Sequence, residues 1–195
     1  MGLSIHYSGS FNPEKPMNEM IGEIEDIAKV FKWNFHLFER NFRGTFSDEP
    51  IDELIYGISV SPPDCEPVWF TFLSNRRMSN PVNLRLFYNS PKEEERKYVY
   101  MLSTKTQYAG IKVHAAIIQL FRYISEKYFN RFEMLDEGKY WETSDIKILE
   151  ETFARYTSLI DTFGDALNHV PRKENESIEA FIGRIFRELN KNSQK

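Results

Sequence analysis

The chain has 195 residues, of which 41% are hydrophobic and 28% charged, a composition typical of a globular protein with a core of its own. Its net charge of −4 argues against a nucleic-acid binder, and Cys65, the only cysteine, excludes an internal disulfide. The sequence lacks a run of ~18 to 20 apolar residues and a secretory signal, so we expect a soluble, cytoplasmic protein with no membrane partner.

The first predicted element is a strand, because in LSIHYSGSF the apolar Leu3, Ile5 and Tyr7 alternate with polar residues. An amphipathic helix follows, and Pro16 suits its first turn. The apolar residues of this helix recur at steps of three and four, namely Met17, Met20, Ile21, Ile24, Ile27, Ala28 and Phe31. The alternation in WNFHLFERNF then predicts a second strand.

The middle third of the chain is predicted to be rich in strands. The runs ELIYGISV, PVWFTFL, VNLRLFY and KYVYMLST are aromatic and β-branched, and they are separated by segments with Pro, Asn and Ser. An antiparallel meander fits this pattern best. Residues 65–131 also hold 11 basic and 5 acidic side chains. The three glutamates of KEEERK partly cancel this positive charge, so we predict no nucleic-acid partner.

A second helix is predicted in YAGIKVHAAIIQLFRYISEKYF, whose apolar arc is broad enough to indicate deep burial. A short strand, NRFEML, follows it. KVFKWNFHLFER after the first helix and EKYFNRFEMLDE after the second are faintly alike, which leaves open a duplication of a strand-helix-strand unit.

The last fifty residues are predicted to form two helices with one narrow apolar seam each. In the first helix, apolar residues recur across three heptads from Ile146 to Leu167, and Ser144 or Thr143 is available as its N-cap. Pro171 interrupts the pattern, and Ser177 can cap the second helix. We predict a hairpin that packs within the chain, with self-association through these helices as the alternative.

The predicted fold class is α+β: a largely antiparallel sheet of six or seven strands with two helices on one face. Residues 1–145 form the sheet domain, and residues 146–195 form the hairpin packed on it as part of a single structural unit. The element order resembles that of the TATA-binding-protein-like architecture, a resemblance that implies a curved sheet and no function. We expect a ligand or partner on the exposed sheet face and its rim.

The most distinctive segment is DEGKYWETSD at residues 136–145, where four carboxylates surround a Tyr-Trp pair. Gly138 is predicted to supply the positive φ of a tight turn, and residues 143–145 to start a helix. The aromatic pair and its acidic neighbours could grip a polar ligand, or they could form a rim of the core. The candidate ligand-binding residues here are Asp136, Glu137, Tyr140, Trp141 and Glu142.

His114 is the second candidate, since it lies in the apolar arc of the second helix as a core histidine or a catalytic base. Cys65 stands between Asp64 and Glu66, whose charges disfavour the thiolate that a nucleophile needs. No His or Cys spacing is typical of a metal site, and no glycine pattern is typical of a phosphate loop, so we predict no metal or cofactor.

Two functional interpretations remain open. The first is a non-catalytic binding or protein-interaction domain, with a protein partner or a small polar ligand. The alternative is a hydrolase that acts on a polar small molecule through the carboxylates of residues 136–145 and His114. A deep pocket that joins these residues would favour the hydrolase, whereas a flat aromatic patch would favour the interaction domain.

Overall fold

The computed structural model describes residues 2–42, 51–171, 173 and 176–192. It has an α+β fold with antiparallel strands, as predicted, and divides into two compact units, Met1–Glu150 and Glu151–Lys195. The strands are β1 (Ser4–Phe11), β2 (Asn34–Leu37), β3 (Tyr56–Ser61), β4 (Val68–Phe72), β5 (Leu102–Lys105) and β6 (Phe129–Asp136). The α-helices are α1 (Met17–Phe31), α2 (Pro81–Phe87), α3 (Glu93–Arg96), α4 (Gly110–Tyr128), α5 (Tyr140–Thr143), α6 (Ile146–His169) and α7 (Ile178–Asn192).

The strands of the described ranges form two three-stranded sheets. The first has the order β5-β1-β6 and the second the order β2-β3-β4, with antiparallel pairing throughout. The predicted single sheet of six or seven strands is therefore not confirmed. Isolated β-bridges join the turn after β4 to β1, at Ser10 with Arg77, and to β4, at Phe72 with Met78.

One predicted strand is wrong. VNLRLFY forms the helix α2, because Asn80 caps its start by accepting a hydrogen bond from the Asn83 backbone N–H (2.7 Å) and Pro81 occupies the first turn. The first half of KYVYMLST is also a 3₁₀ turn, Lys97–Tyr100, and only β5 is extended. These two changes break the predicted meander after β4, and with it the TATA-binding-protein-like order.

One apolar core joins both sheets and the two long helices of the first unit. α1 packs against β2 and β3, and α4 packs against β6 and, through ring contacts of Phe121, against β1 and β4. That the two helices lie on one face of the sheet stays a prediction. Each buries the apolar stripe that its periodicity predicts, exemplified by Ile21 and Ile24 on α1 and by Ile117 and Phe121 on α4. The core fixes the position of the carboxyl end of β6, where the candidate site residues lie.

The second unit contains most of α6 and all of α7, the helices of the predicted hairpin. The rings of Phe163 and Phe186 stack at 5.2 Å, and Ile185 is buried. The packing of this hairpin on the sheet domain stays a prediction. Along the described part of the chain, no helix has both the length and the apolar character that crossing a membrane would require.

The start of α6 differs from the prediction by one residue. The Asp145 carboxylate accepts a hydrogen bond from the Lys147 backbone N–H (2.8 Å), so Asp145 is the N-cap. Ser144 instead has a φ of 56°, and the Thr143 hydroxyl accepts from the Asp145 N–H (3.2 Å). The cap lies one residue later because α5 extends to Thr143 and Ser144 caps the end of that helix.

Candidate functional site

Asp136, at the end of β6, organises the turn that follows it. One carboxylate oxygen accepts a hydrogen bond from the Gly138 N–H (2.7 Å), and the other accepts from the N–H groups of Tyr140 (2.8 Å) and Trp141 (3.0 Å). The side chain has no solvent-accessible surface. Asp136 therefore holds the start of α5 by satisfying backbone donors that a helix of one turn leaves unpaired.

His114 joins the same buried network from α4. Its Nε2 lies 3.0 Å from the Asp136 carboxylate, and its Nδ1 lies 2.8 Å from the Thr106 hydroxyl. A hydroxyl (Thr106), an imidazole (His114) and a carboxylate (Asp136) are thus connected in the order found in catalytic triads. All three residues are buried, however, so a substrate cannot contact the imidazole in this conformation.

The charge state of Asp136 follows from these contacts. Burial alone would raise the pKa of the carboxyl, but the hydrogen bond and charge of His114, together with the N–H groups of Trp141 and Gly138, outweigh it. The pKa of Asp136 consequently lies below its ordinary value of 3.8. Asp136 is thus ionised at neutral pH, and its carboxylate oxygens are occupied by hydrogen bonds within the turn.

The glycine of the turn is required for a different reason from the predicted one. The positive φ belongs to Lys139 (61°), and not to Gly138. A Cβ atom at Gly138 would lie 2.7 Å from Leu149 Cδ1, 2.8 Å from His114 Nε2 and 3.0 Å from Asp136 Oδ1. Gly138 therefore allows α4, the turn and the first turns of α6 to pack closely within the first unit.

Tyr140 and Trp141 are half-buried and held by Arg122. The guanidinium donates hydrogen bonds to the backbone oxygens of Tyr140 (2.9 Å) and Trp141 (2.7 Å), and lies 5.7 and 5.5 Å from their ring centroids. The indole meets Phe132 edge-on at 5.6 Å. Trp141 and Arg122 also line a shallow, open depression of ≈ 480 Å³ beside β6. The aromatic pair is thus both a rim of the core and a wall of a surface depression.

The two remaining candidate carboxylates contact the backbone of the sheet. Glu137 accepts a hydrogen bond from the Ser4 N–H (2.8 Å) and lies 3.6 Å from His6 Nε2. Glu142 accepts from the Asp136 N–H (3.3 Å). The structure therefore brings His114, Tyr140, Trp141 and Glu142 into contact with Asp136, while Glu137 faces β1. Their role in binding a ligand stays a prediction.

Cys65 is poorly suited to act as a nucleophile, and the described residues hold no cluster of metal ligands. The Cys65 thiol donates to the Lys105 carbonyl at 3.5 Å, and burial, followed by the charge of Glu66, raises its pKa to about 12. Very little thiolate is therefore present at neutral pH. Among the residues that the structure describes, no group of three or more His, Cys, Asp and Glu side chains could hold a metal ion.

Comparison of the chain with protein family models, curated proteins and solved structures gives no match. The sequence predicted a ligand or partner on the exposed sheet face and its rim but did not identify the two surface features found there. They are the edge of β6, which has no strand partner other than β1 among the described residues, and a cleft lined by two arginines on the outer face of the first sheet. The basic surplus around SNRRMSNP was the available sign of the cleft, whereas only the strand order defines the edge.

We expect Trp141→Ala to lower the free energy of unfolding by about 1 to 2 kcal/mol, because a half-buried indole loses its contacts with Phe132 and Arg122. Glu142→Gln is the matched change in the same segment and should cost less than about 0.5 kcal/mol, since an amide oxygen can still accept from the Asp136 N–H. Urea denaturation of both variants measures this ranking. A larger loss for Glu142→Gln would contradict the structural role assigned to Trp141.

Proposed function

We propose that this chain is a non-catalytic protein-interaction domain that associates through the free edge of β6, and that the strand it accepts is β6 of a second copy. The observation that carries this proposal is the position of β6 at the edge of the first sheet, where β1 is its one strand partner among the described residues. An unpaired strand edge offers a row of backbone donors and acceptors to another chain.

The ladder with β1 defines which backbone groups of β6 face outward. The Glu137 N–H donates to the Ser4 carbonyl, so Leu135, Glu133 and Arg131, two residues apart along β6, direct their N–H and C=O groups toward β1. The groups of Phe132 and Met134 consequently point away from it. Glu142 occupies the next outward N–H, that of Asp136, which leaves residues 130–134 as the open stretch.

The side chains of this stretch are complementary to themselves in one antiparallel register. If Phe132 faces Phe132 of a second copy, each Arg131 lies opposite a Glu133, and this happens twice across the two-fold axis. Both side chains are exposed. The pairing centred on Glu133 would instead oppose two carboxylates. Charge therefore favours the first register, in which the outward groups of residues 130, 132 and 134 all find partners.

The burial of His114 and Asp136 supports an interaction domain over the predicted hydrolase. A general base must reach the proton that it removes, and neither side chain has accessible surface. Of the segment 136–145, Trp141 lines a shallow, open depression, which His114 and Asp136 do not line. Self-association through the C-terminal helices is a separate prediction, which changes at β6 do not affect.

A charge-swap series tests the proposal. Arg131→Glu and Glu133→Arg should each weaken dimerisation by about 10-fold or more, because every variant interface then opposes two pairs of like charges, each worth roughly 0.2 to 1 kcal/mol. The double variant restores opposite charges and should dimerise within about threefold of the original chain. Sedimentation velocity over a range of concentrations measures the dissociation constants.

Arg85→Glu is the control for charge alone, since Arg85 is exposed on α2 and should leave association unchanged. A chain that remains monomeric at every concentration overturns the proposal. A dimer whose affinity ignores both single reversals also overturns it, and would direct attention to the C-terminal helices.

A further inference from the structure

A polar cleft of ≈ 450 Å³ lies on the outer face of the first sheet, apart from the segment 136–145. It is lined by the second half of β1, by the end of β6 nearest α4, by residues of the turn after β4 and by Tyr100. Its polar lining residues include Ser8, Ser10, Asn75, Arg77, Arg131 and Glu133. This size suits a small molecule.

Two arginines stand on either side of one serine in this cleft. Ser10 lies opposite Arg131 in the ladder with β6, and opposite Arg77 in an isolated bridge on its other side. Residues directly opposite each other on adjacent strands share a face of the sheet, with strands roughly 4.8 Å apart. Arg77 and Arg131 therefore lie on the same face of the sheet as Ser10, on either side of it, and all three line the cleft.

The position of Arg77 is fixed by contacts that do not include an acidic side chain among the described residues. Its guanidinium carbon lies 3.4 Å from the ring centroid of Tyr100, and its backbone N–H donates to the Asn75 side-chain oxygen (3.1 Å). Asn75, which is only 4% exposed, in turn donates to the Tyr100 hydroxyl (3.0 Å). Within the described ranges neither Arg77 nor Arg131 forms an ion pair.

The segment that carries Arg77 is also fixed to β1 by its backbone. The Met78 N–H donates to the Gly9 carbonyl (2.9 Å), and the Phe11 N–H donates to the Arg76 carbonyl (2.8 Å). These bonds hold Arg77 in register with Ser10. A preorganised guanidinium loses less conformational freedom when it binds an oxyanion than a free surface arginine does.

We propose that this cleft is a binding site for a small oxyanion, a carboxylate or a phosphate, held chiefly by Arg77 with hydroxyl donors from Ser8 and Ser10. Arg131, which the proposed dimer places opposite Glu133 of the second copy, adds positive charge at the rim of the cleft. Guanidinium groups bind both anions through paired, charge-assisted hydrogen bonds. Glu133 lies opposite Ser8, farther along the cleft, and can accept a hydrogen bond from a hydroxyl or amino group of the same ligand. The site therefore fits a small molecule that carries an anionic group and a polar donor.

Binding of two probes to the full chain tests this site. Inorganic phosphate and citrate are each titrated at a constant ionic strength set with sodium chloride, because screening alters every exposed charge. Saturable changes of the backbone amide signals of Ser10, Arg77 and Arg131 are expected with at least one probe. The probe that saturates at lower concentration distinguishes a phosphate ligand from a carboxylate ligand.

Arg77→Gln should weaken binding of that probe by at least 10-fold, whereas Arg85→Gln, a matched change on α2, should leave it within about twofold. Arg77→Lys keeps the charge without the forked donors and should give an intermediate loss. The association state is expected to stay unchanged in all three variants, because Arg77 lies off the free edge of β6. Absence of saturation with both probes, or equal binding by the chain and Arg77→Gln, overturns the proposal.

Discussion

Replacing Asp136 with alanine is expected to lower the free energy of unfolding by about 3 to 5 kcal/mol. The substitution removes an ionised acceptor that serves three backbone N–H groups of the turn and the imidazole of His114 on α4. Donors left without an acceptor each cost their desolvation, which is why breaking a buried network costs more than its net contribution suggests. Urea denaturation at pH 7 measures the difference.

Asp26→Ala provides the comparison. The Asp26 side chain on α1 is 81% exposed, and its ion pair with Lys29 is long at 3.9 Å. That variant should change the stability by less than about 0.5 kcal/mol. Equal small losses for the two variants would mean that the turn does not depend on the Asp136 carboxylate.

The same carboxylate predicts a pH dependence. Because the folded pKa of Asp136 lies below its ordinary value of 3.8, the unfolded chain binds a proton more readily than the folded one. Its contribution is therefore complete above about pH 4 to 5 and is lost as the pH falls through 3.8 toward the lower folded value. The stability gap between the chain and Asp136→Ala should accordingly shrink as the pH falls below about 4, and urea denaturation of both proteins over a series of pH values measures it.

Replacing Gly138 with alanine is expected to cost about 2 to 3 kcal/mol. The added methyl group would overlap Leu149, His114 and Asp136 at once, so the first turn of α6 or the buried network must shift. The φ of Gly138 is not in the left-handed region, which means that the cost comes from space and not from backbone strain.

Gly22→Ala is the matched control for this change. A Cβ at Gly22 meets nothing within 4 Å, and the residue lies inside α1, so alanine there should stabilise the chain by about 0.5 to 1 kcal/mol. Opposite signs for the two substitutions are the expected result in paired denaturation curves. A neutral Gly138→Ala would show that the turn has room that the structure does not indicate.

Local patterns in the sequence were sufficient for the four long helices, α1, α4, α6 and α7, and for most strands. The apolar spacing of α1 and α4, and the alternation in β1 and β6, are properties of consecutive residues, and they predict both the element and its buried face. VNLRLFY failed because its composition favours a strand, while Asn80 and Pro81 just before it favour the start of a helix. The cap was visible in the sequence, and it outweighed the weaker β propensity.

The candidate site divides in the same way. The sequence by itself determined that the segment 136–145 turns the chain and leads into a helix, because acidic and hydroxyl residues such as Asp145 favour turns and helix starts. The reason for Gly138, which is close packing, depends on residues distant in the chain. The sequence could not show that His114 meets Asp136, or that Arg77 and Arg131 flank Ser10. The first contact requires α4 to pack against the end of β6, and the second requires β1 to pair with β6 and with the turn after β4. The partners of a strand are chosen by packing between segments that are distant in sequence, and no local periodicity encodes that choice.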